Sequence, residues 1–387
     1  MQANLKQTIY TDHAVWALGF RPFFLAGGCA SFIFLLLWLF SLQGYLPPLS
    51  VHWHAHEMLF GFGGAIFTGF ILTSTQSWTG QRGIHGKELQ LLVASWLAGR
   101  IGMLSGIPVL SATLDLLFLP MLTVFLHRYL SEPKQARNRV FYVLMALQLT
   151  SNLLFHGEKL FGWQSAQIGI YAVLNVYILM IMLIGGRIIP LFTRNGLKHV
   201  KAQSFAWLEK TSFILSAAWF ISQLLIPGQI ISLLVSALTA LVHLLRWLGW
   251  KPWQTRQKPI IWILHVAYAW LILALVMQAL PAPWAPLRSI VIHAFTAGAM
   301  GIMMFAMITR VALGHTGRTI EASKAIVVSY YLINFAAILR VFGIWFFPLY
   351  SPWIILSAGT AWVLAFVLFL REYTGYLIRP RPDGKVG

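Results

Sequence analysis

The sequence is short of charge, shorter still of acid, and almost without cysteine. Charged residues make up only 10% of its 387 positions, and they divide into 28 basic and 10 acidic side chains. A soluble globular domain carries about 25% charge, so a water-facing surface of ordinary composition is excluded. Cys29 is the one cysteine. That count rules out an intramolecular disulfide, a CxxCH attachment of c-type haem and an all-cysteine iron–sulfur cluster. A redox cofactor would have to be held by histidine or another non-thiol ligand. There is no P-loop, and GxGxxG does not occur as a working unit after a strand. Long polar stretches are missing too: the longest connections between apolar runs, such as 310–324, hold about fifteen residues, too few for a separate domain.

What is present is apolar, at 58% of the chain with a mean hydropathy of +0.73. A transmembrane helix needs about 20 mostly apolar residues, and twelve stretches satisfy this, near 23–42, 54–76, 89–107, 109–127, 140–156, 168–190, 206–226, 229–248, 259–280, 288–309, 325–346 and 351–371. They are continuously apolar, whereas barrel strands alternate. The expected fold is therefore all-α: a polytopic membrane protein of twelve helices in a single integral membrane domain over 1–387. It comprises an N-terminal segment (1–22), a bundle (23–371) and a tail (372–387). Spans two, six and ten leave through SWTGQRG (77–83), GGRIIPLFTRNG (185–196) and ITRVALGHTGR (308–318). Each carries glycine and a basic residue, and their spacing of four spans hints at three four-helix arcs.

The formal charge of +18 is spread along the chain and not gathered into one patch, which argues against a nucleic-acid partner and leaves membrane lipids as the surroundings. Lys6 and Arg21 precede span one, and further basic groups follow the even-numbered spans. Loops after the odd-numbered spans hold only Lys159 and Arg288. By the positive-inside rule both termini are cytoplasmic, in a membrane of the bacterial inner type. The polar N-terminus followed by a full-length span predicts no cleaved signal peptide.

An ionisable group inside a membrane helix is costly, about 2.5–3.5 kcal/mol for arginine at the centre on the most lenient scale. Those present therefore carry the functional reading. His54, His56 and Glu57 of WHAHEMLFGF (53–62) stand at the outer end of span two, with His52 just before it. Ser50, preceded by Pro47 and Pro48, is a suitable N-cap that would bring His52 into the helix. Asn152 and His156 of NLLFH share a face at the outer end of span five, and His293 opens span ten. Arg100 and Arg340 fall in the middle to outer half of their spans. Histidines at a membrane boundary can simply sit at the wet interface. Together they also form a metal-ligand set, since imidazole binds copper, iron, zinc and haem iron, and buried arginines suit carboxylates such as haem propionates. The glycines of GFGG (61–64), with Gly69, Gly298 and Gly301, allow close approach of a neighbouring helix or of a flat macrocycle. Met300, Met304 and Met307 line one face of span ten and read as packing. Asp115 is a lone acid in span four, which could serve a proton path or a helix contact and is read as the contact. At the inner face Arg187, Arg194, Arg310 and His315 form a further candidate site.

These pieces, in order, resemble the NnrS family of haem- and copper-containing membrane proteins linked to nitric oxide and nitrosative stress. The resemblance rests on GFRPFF (19–24), WHAHEMLFGF (53–62), WTG (78–80), LAGR (97–100), NLLFH (152–156), GGRIIPLFTRNGL (185–197) and HAFTAGAMGIMMFAMITRVALGHTGR (293–318). It covers nearly the whole chain and is least distinctive over spans seven to nine. Gln76-Ser77 departs from the proline and asparagine expected before WTG. The resemblance implies a twelve-helix domain binding non-covalent haem, of b type, and copper, with a part in nitric oxide tolerance. It does not assign ligands; joined to it, the outer histidines become a candidate cofactor site, with His56 and His293 expected as haem ligands, His54 and His156, with His52 beside them, for copper or supporting contacts, and Arg100 and Arg340 for propionates. With no nicotinamide-binding domain, electrons would come from quinol or another membrane donor. Two rival readings differ in class. A quinol-linked enzyme like the haem–copper oxidases would need more histidines than span ten offers, and a secondary transporter would need helices broken near the midplane.

Overall fold

A computed structural model describes residues 14–385; Lys6 and the rest of the segment before Ala14 lie outside them. The described residues contain twelve long helices and no strands. They are α1 (Phe20–Leu42), α2 (Val51–Thr79), α3 (Gly86–Leu104), α4 (Pro108–Leu130), α5 (Val140–Phe161), α6 (Ala166–Gly196), α7 (Ala206–Leu225), α8 (Ile230–Gly249), α9 (Pro259–Ala279), α10 (Arg288–His315), α11 (Lys324–Phe346) and α12 (Ser351–Ile378). All twelve apolar stretches of the sequence thus become helices. Ten are long and apolar enough to cross a membrane, while α3 and α7 fall short of that measure.

Exposure along α8 identifies the solvent. Ile231, Leu234, Leu238 and Leu241 are all more than half exposed, while Ser232, Ser236, Thr239, His243 and Arg246 are buried. A helix in water buries the apolar stripe and exposes the polar one. Here the order is reversed, as a hydrocarbon surrounding requires.

The chain forms two compact units. The first comprises Met1–Val173, Val311–Thr319 and Phe366–Gly387, and the second Leu174–Arg310 and Ile320–Ala365. In the first, glycines set the helix spacing. A Cβ on Gly69 of α2 would meet the Phe24 ring of α1 at 2.7 Å, so only glycine permits that contact. Arg21 is fully buried and donates to the carbonyls of Leu377 (2.8 Å) and Arg379 (2.9 Å) at the end of α12, where the helix dipole favours a cation. In the second unit α9 is the core helix, buried on nearly every face. Gly298 of α10 makes room for Trp270 of α9, whose ring stands 2.6 Å from where a Cβ would be.

Three helices change pitch. π-Helical turns run over Glu57–Gly63 in α2, Ala294–Gly301 in α10 and Leu339–Gly343 in α11. Such turns insert one residue, re-aim the side chains around them and free backbone carbonyls, and they recur at functional sites. His56 and His293 each stand immediately before one, and Arg340 lies inside the third.

Candidate metal centre

The first unit holds a buried polar cluster built from four helices. Ser50 caps α2, its Oγ accepting from the Trp53 N–H at 3.0 Å, so the helix starts at Val51 as its sequence predicts. Two turns on, His56 ends the first α-helical stretch and Glu57 opens the π turn. The displaced backbone leaves the Gly61 carbonyl for Trp96 of α3, which donates to it at 3.1 Å. Arg100 lies one turn further along α3. Its partner Asp115 comes from α4, and the two helices approach closely because Gly99 lacks a side chain: a Cβ there would meet Asp115 Cα and Oδ1 at 3.0 Å. Ser111 secures the same contact, donating to the Gly102 carbonyl at 2.7 Å. Asn152 and His156, one turn apart on α5, complete the set.

The geometry is compact. His56 Nε2 is 3.0 Å from Asp115 Oδ2 and 3.1 Å from Asn152 Oδ1, and His56 Nδ1 is 2.9 Å from Glu57 Oε1. Asp115 Oδ2 also accepts from Asn152 Nδ2 at 2.8 Å and from His156 Nε2 at 2.9 Å. Arg100 bridges the two acids, reaching Glu57 Oε1 at 3.2 Å and forming an ion pair with Asp115 Oδ1. None of these six residues is more than 5% exposed. Glu57 Oε2 and Arg100 Nε are buried without a hydrogen-bond partner.

One ligand atom from each of His56, Asp115 and His156 lies within 4.8 Å of the others. This trio can hold a metal ion, since bonds of about 2.0–2.2 Å to nitrogen and oxygen place ligand atoms at such separations. Two further observations fit an ion. Glu57 holds the Nδ1 side of His56, the carboxylate–histidine–metal arrangement that fixes which nitrogen faces the ion. With neutral imidazoles, Glu57 and Asp115 outnumber Arg100 by one negative charge in a site closed to water. A cation, whether a metal ion or a proton on His56, closes that balance. Haem does not fit between His56 and His156, because a single carboxylate oxygen lies within 3.0 Å of an imidazole nitrogen on either side.

The other sequence candidates lie elsewhere. His52 is half-exposed, 4.0 Å from Glu158. His54 stacks on Trp38 with ring centroids 4.9 Å apart. His293 and Arg340 belong to the second unit, where the opening turns of α10 pack against the π turn of α11. His293 Nδ1 donates to the Ser289 carbonyl at 2.7 Å, which makes Nε2 the unprotonated nitrogen of the neutral ring. Arg340 is half-buried. The spaces beside Gly298 and Gly301 are taken by Trp270 and Trp362, so these glycines serve packing and make no slot for a macrocycle. At the expected inner-face site, Arg187 is exposed and Arg194 donates to the Ala202 carbonyl at 3.2 Å. Arg310 lies 4.0 Å from the Phe192 ring centroid, and His315, in the first unit, packs against Phe20. They do not assemble into one cluster within either unit.

Three members of the centre, Asp115, Glu57 and Asn152, carry no cofactor role in the sequence alone, where Asn152 is noted only for sharing a face with His156. Asp115 was expected as a helix contact, and it is that and a ligand candidate at once; Glu57 had no assigned role. The signal for Asp115 was its placement as the only acid of an apolar span. A second buried network also went unread: Arg246 of α8 pairs with Glu209 of α7 and donates to Tyr268 OH of α9 at 3.2 Å, while His243 binds the same hydroxyl at 2.5 Å.

No curated protein matches this chain. The family described as NnrS protein matches residues 14–381, which takes in every helix and every residue of the centre. The chain belongs to the NnrS family.

Proposed function

We propose that this chain is a membrane metalloprotein linked to nitric oxide, with a copper or iron ion held by His56, Asp115 and His156. The observation that carries the reading is the buried His–Asp–His trio with Glu57 behind His56. Membership of the NnrS family supplies the link to nitric oxide. Nitric oxide is neutral and lipid-soluble, so a site enclosed by apolar helices is open to it. A bound copper or iron ion supplies a redox centre to which nitric oxide coordinates directly. The protein's own groups do the rest. Glu57 orients His56, Asn152 and Arg100 fix both oxygens of Asp115, and the Phe60 and Phe155 rings, 4.8 and 4.3 Å from the His56 ring centre, keep water out. Haem, as the second cofactor, is assigned to His293, with Arg340 available for a propionate; the Ser289 contact and the packing of the opening turns of α10 against the π turn of α11 support that choice. The histidine ends of α2 and α10 face the outer side of a bacterial inner membrane, an orientation supported by the basic loops.

The test is replacement of the trio. Purified His156→Ala should lose the non-haem metal while keeping any haem absorbance, and His293→Ala should do the reverse. Retention of full metal content by His156→Ala would refute the assignment.

A further inference from the structure

Four arginines are buried among the described residues: Arg21, Arg100, Arg246 and Arg310. A buried guanidinium is costly unless oxygen atoms receive its N–H groups, and three of the four meet that condition. Arg21 donates to main-chain carbonyls at the end of α12, Arg100 to Glu57 and Asp115, and Arg246 to Glu209, Tyr268 and the Met182 carbonyl. Arg310 is the exception. The Phe192 ring of α6 lies 4.0 Å from its guanidinium carbon, but no oxygen of the described residues accepts a hydrogen bond from it and no acid pairs with it. The adjacent hydroxyl is engaged elsewhere, since Thr309 Oγ1 bonds to Tyr330 OH at 2.8 Å and to the Phe305 carbonyl at 3.1 Å.

The donors are nevertheless within reach. Arg310 is 8% exposed, and none of its nitrogens belongs to the sealed polar atoms that lack a partner. The exposure that remains is therefore at the guanidinium itself. Its depth says what can meet it there. Arg310 stands 22 residues beyond Arg288, the first residue of α10, or about 33 Å at 1.5 Å per residue. A hydrocarbon core is about 30 Å thick, so a helix that enters at Arg288 brings Arg310 to the headgroup level of the opposite face. Leu191, next to Phe192 on α6, is an exposed leucine at the same end, as a lipid surrounding requires.

We propose that Arg310 holds the phosphate of an anionic phospholipid between the ends of α6 and α10. Guanidinium and phosphate pair through two parallel hydrogen bonds, which would give the unused N–H groups their acceptors. The uncompensated positive charge selects a headgroup of net negative charge, because a zwitterionic lipid brings a cation of its own. Free phosphate offers the same oxygens, but the depth of Arg310 and the exposed leucine beside Phe192 favour the lipid. The proposal rests neither on the metal trio nor on which face of the membrane this end meets. It is also separate from haem at His293, which lies 17 residues away on α10, about 26 Å along the axis.

The experiment is native mass spectrometry of the delipidated full-length protein in detergent, titrated with phosphatidylglycerol or with phosphatidylcholine. Wild-type protein should take up one phosphatidylglycerol in preference to phosphatidylcholine. Arg310→Gln should weaken that first phosphatidylglycerol roughly tenfold or more, the effect of losing hydrogen bonds to a charged group, and so erase the preference. Arg310→Met, which keeps the length of the side chain without its charge, should do the same and serves if the glutamine variant does not fold. Arg194→Gln removes an exposed arginine at the same end of α6 and should bind as wild type does. Thermal unfolding separates the two sources of phosphate: phosphatidylglycerol should stabilise wild type and not Arg310→Gln, while inorganic phosphate should stabilise neither. Equal affinity of wild type and both Arg310 variants, an equal loss in Arg194→Gln, or stabilisation by inorganic phosphate that depends on Arg310 would each overturn the proposal.

Discussion

At the residue scale, the centre depends on charges that cannot be removed singly. Asp115→Asn leaves Arg100 with Glu57 as its one charged partner, and leaves a single amide oxygen where Arg100 on one side and His56, Asn152 and His156 on the other use two. Breaking a buried pair in this way costs about 3–5 kcal/mol, so a lower midpoint in thermal unfolding accompanies loss of the metal. Glu57→Gln is milder: the amide oxygen still accepts from His56 Nδ1, but the charge is gone. Metal affinity should fall by roughly 10–100-fold, the usual effect of altering a partner behind a ligand, with unfolding little changed; competition with a chelator measures it. An unchanged affinity would remove Glu57 from the centre. His56, His156 and Arg100 were legible because ionisable groups in apolar runs stand out by their cost. Asp115 was visible for the same reason, but its four partners come from three other helices, at sequence separations of 59, 41, 37 and 15 residues, which no local pattern encodes.

At the element scale, the α3–α4 contact positions the centre. Gly99→Ala places a Cβ 3.0 Å from the Asp115 backbone, which must move, so metal binding should weaken although no ligand is altered. Gly64→Ala in α2 is the matched control, since nothing lies within 4 Å of its would-be Cβ; there alanine should add roughly 0.5–1 kcal/mol of helix stability and leave the metal in place. Equal loss of metal in both variants would mean that glycine at 99 has no positional role. Helix number and bounds were legible because an unbroken apolar run of membrane length admits few other conformations. The three π turns were not. Hydropathy reports that a segment is apolar and says nothing of one extra residue per turn, and GFGG or TAGAMG reads equally well as helix packing.

At the scale of the whole molecule, the orientation rests on the distribution of lysine and arginine. With Cys29 replaced by alanine, Lys159→Cys should react with a membrane-impermeant maleimide on intact cells, and Lys198→Cys only after permeabilisation; the opposite pattern would invert the topology and put the centre on the cytoplasmic side. The sequence resemblance and the family match agree over nearly the whole chain, yet a family name does not assign ligands, which is why the trio carries the functional claim. The most direct measurement is the metal content per chain of purified full-length protein after growth with copper and iron, set beside that of His56→Ala and His156→Ala. The expected result is one copper or iron ion per wild-type chain, separate from any haem, and none in either variant. A wild-type protein that stays free of such an ion, or variants that keep it, would contradict the assignment of His56, Asp115 and His156 as the metal centre.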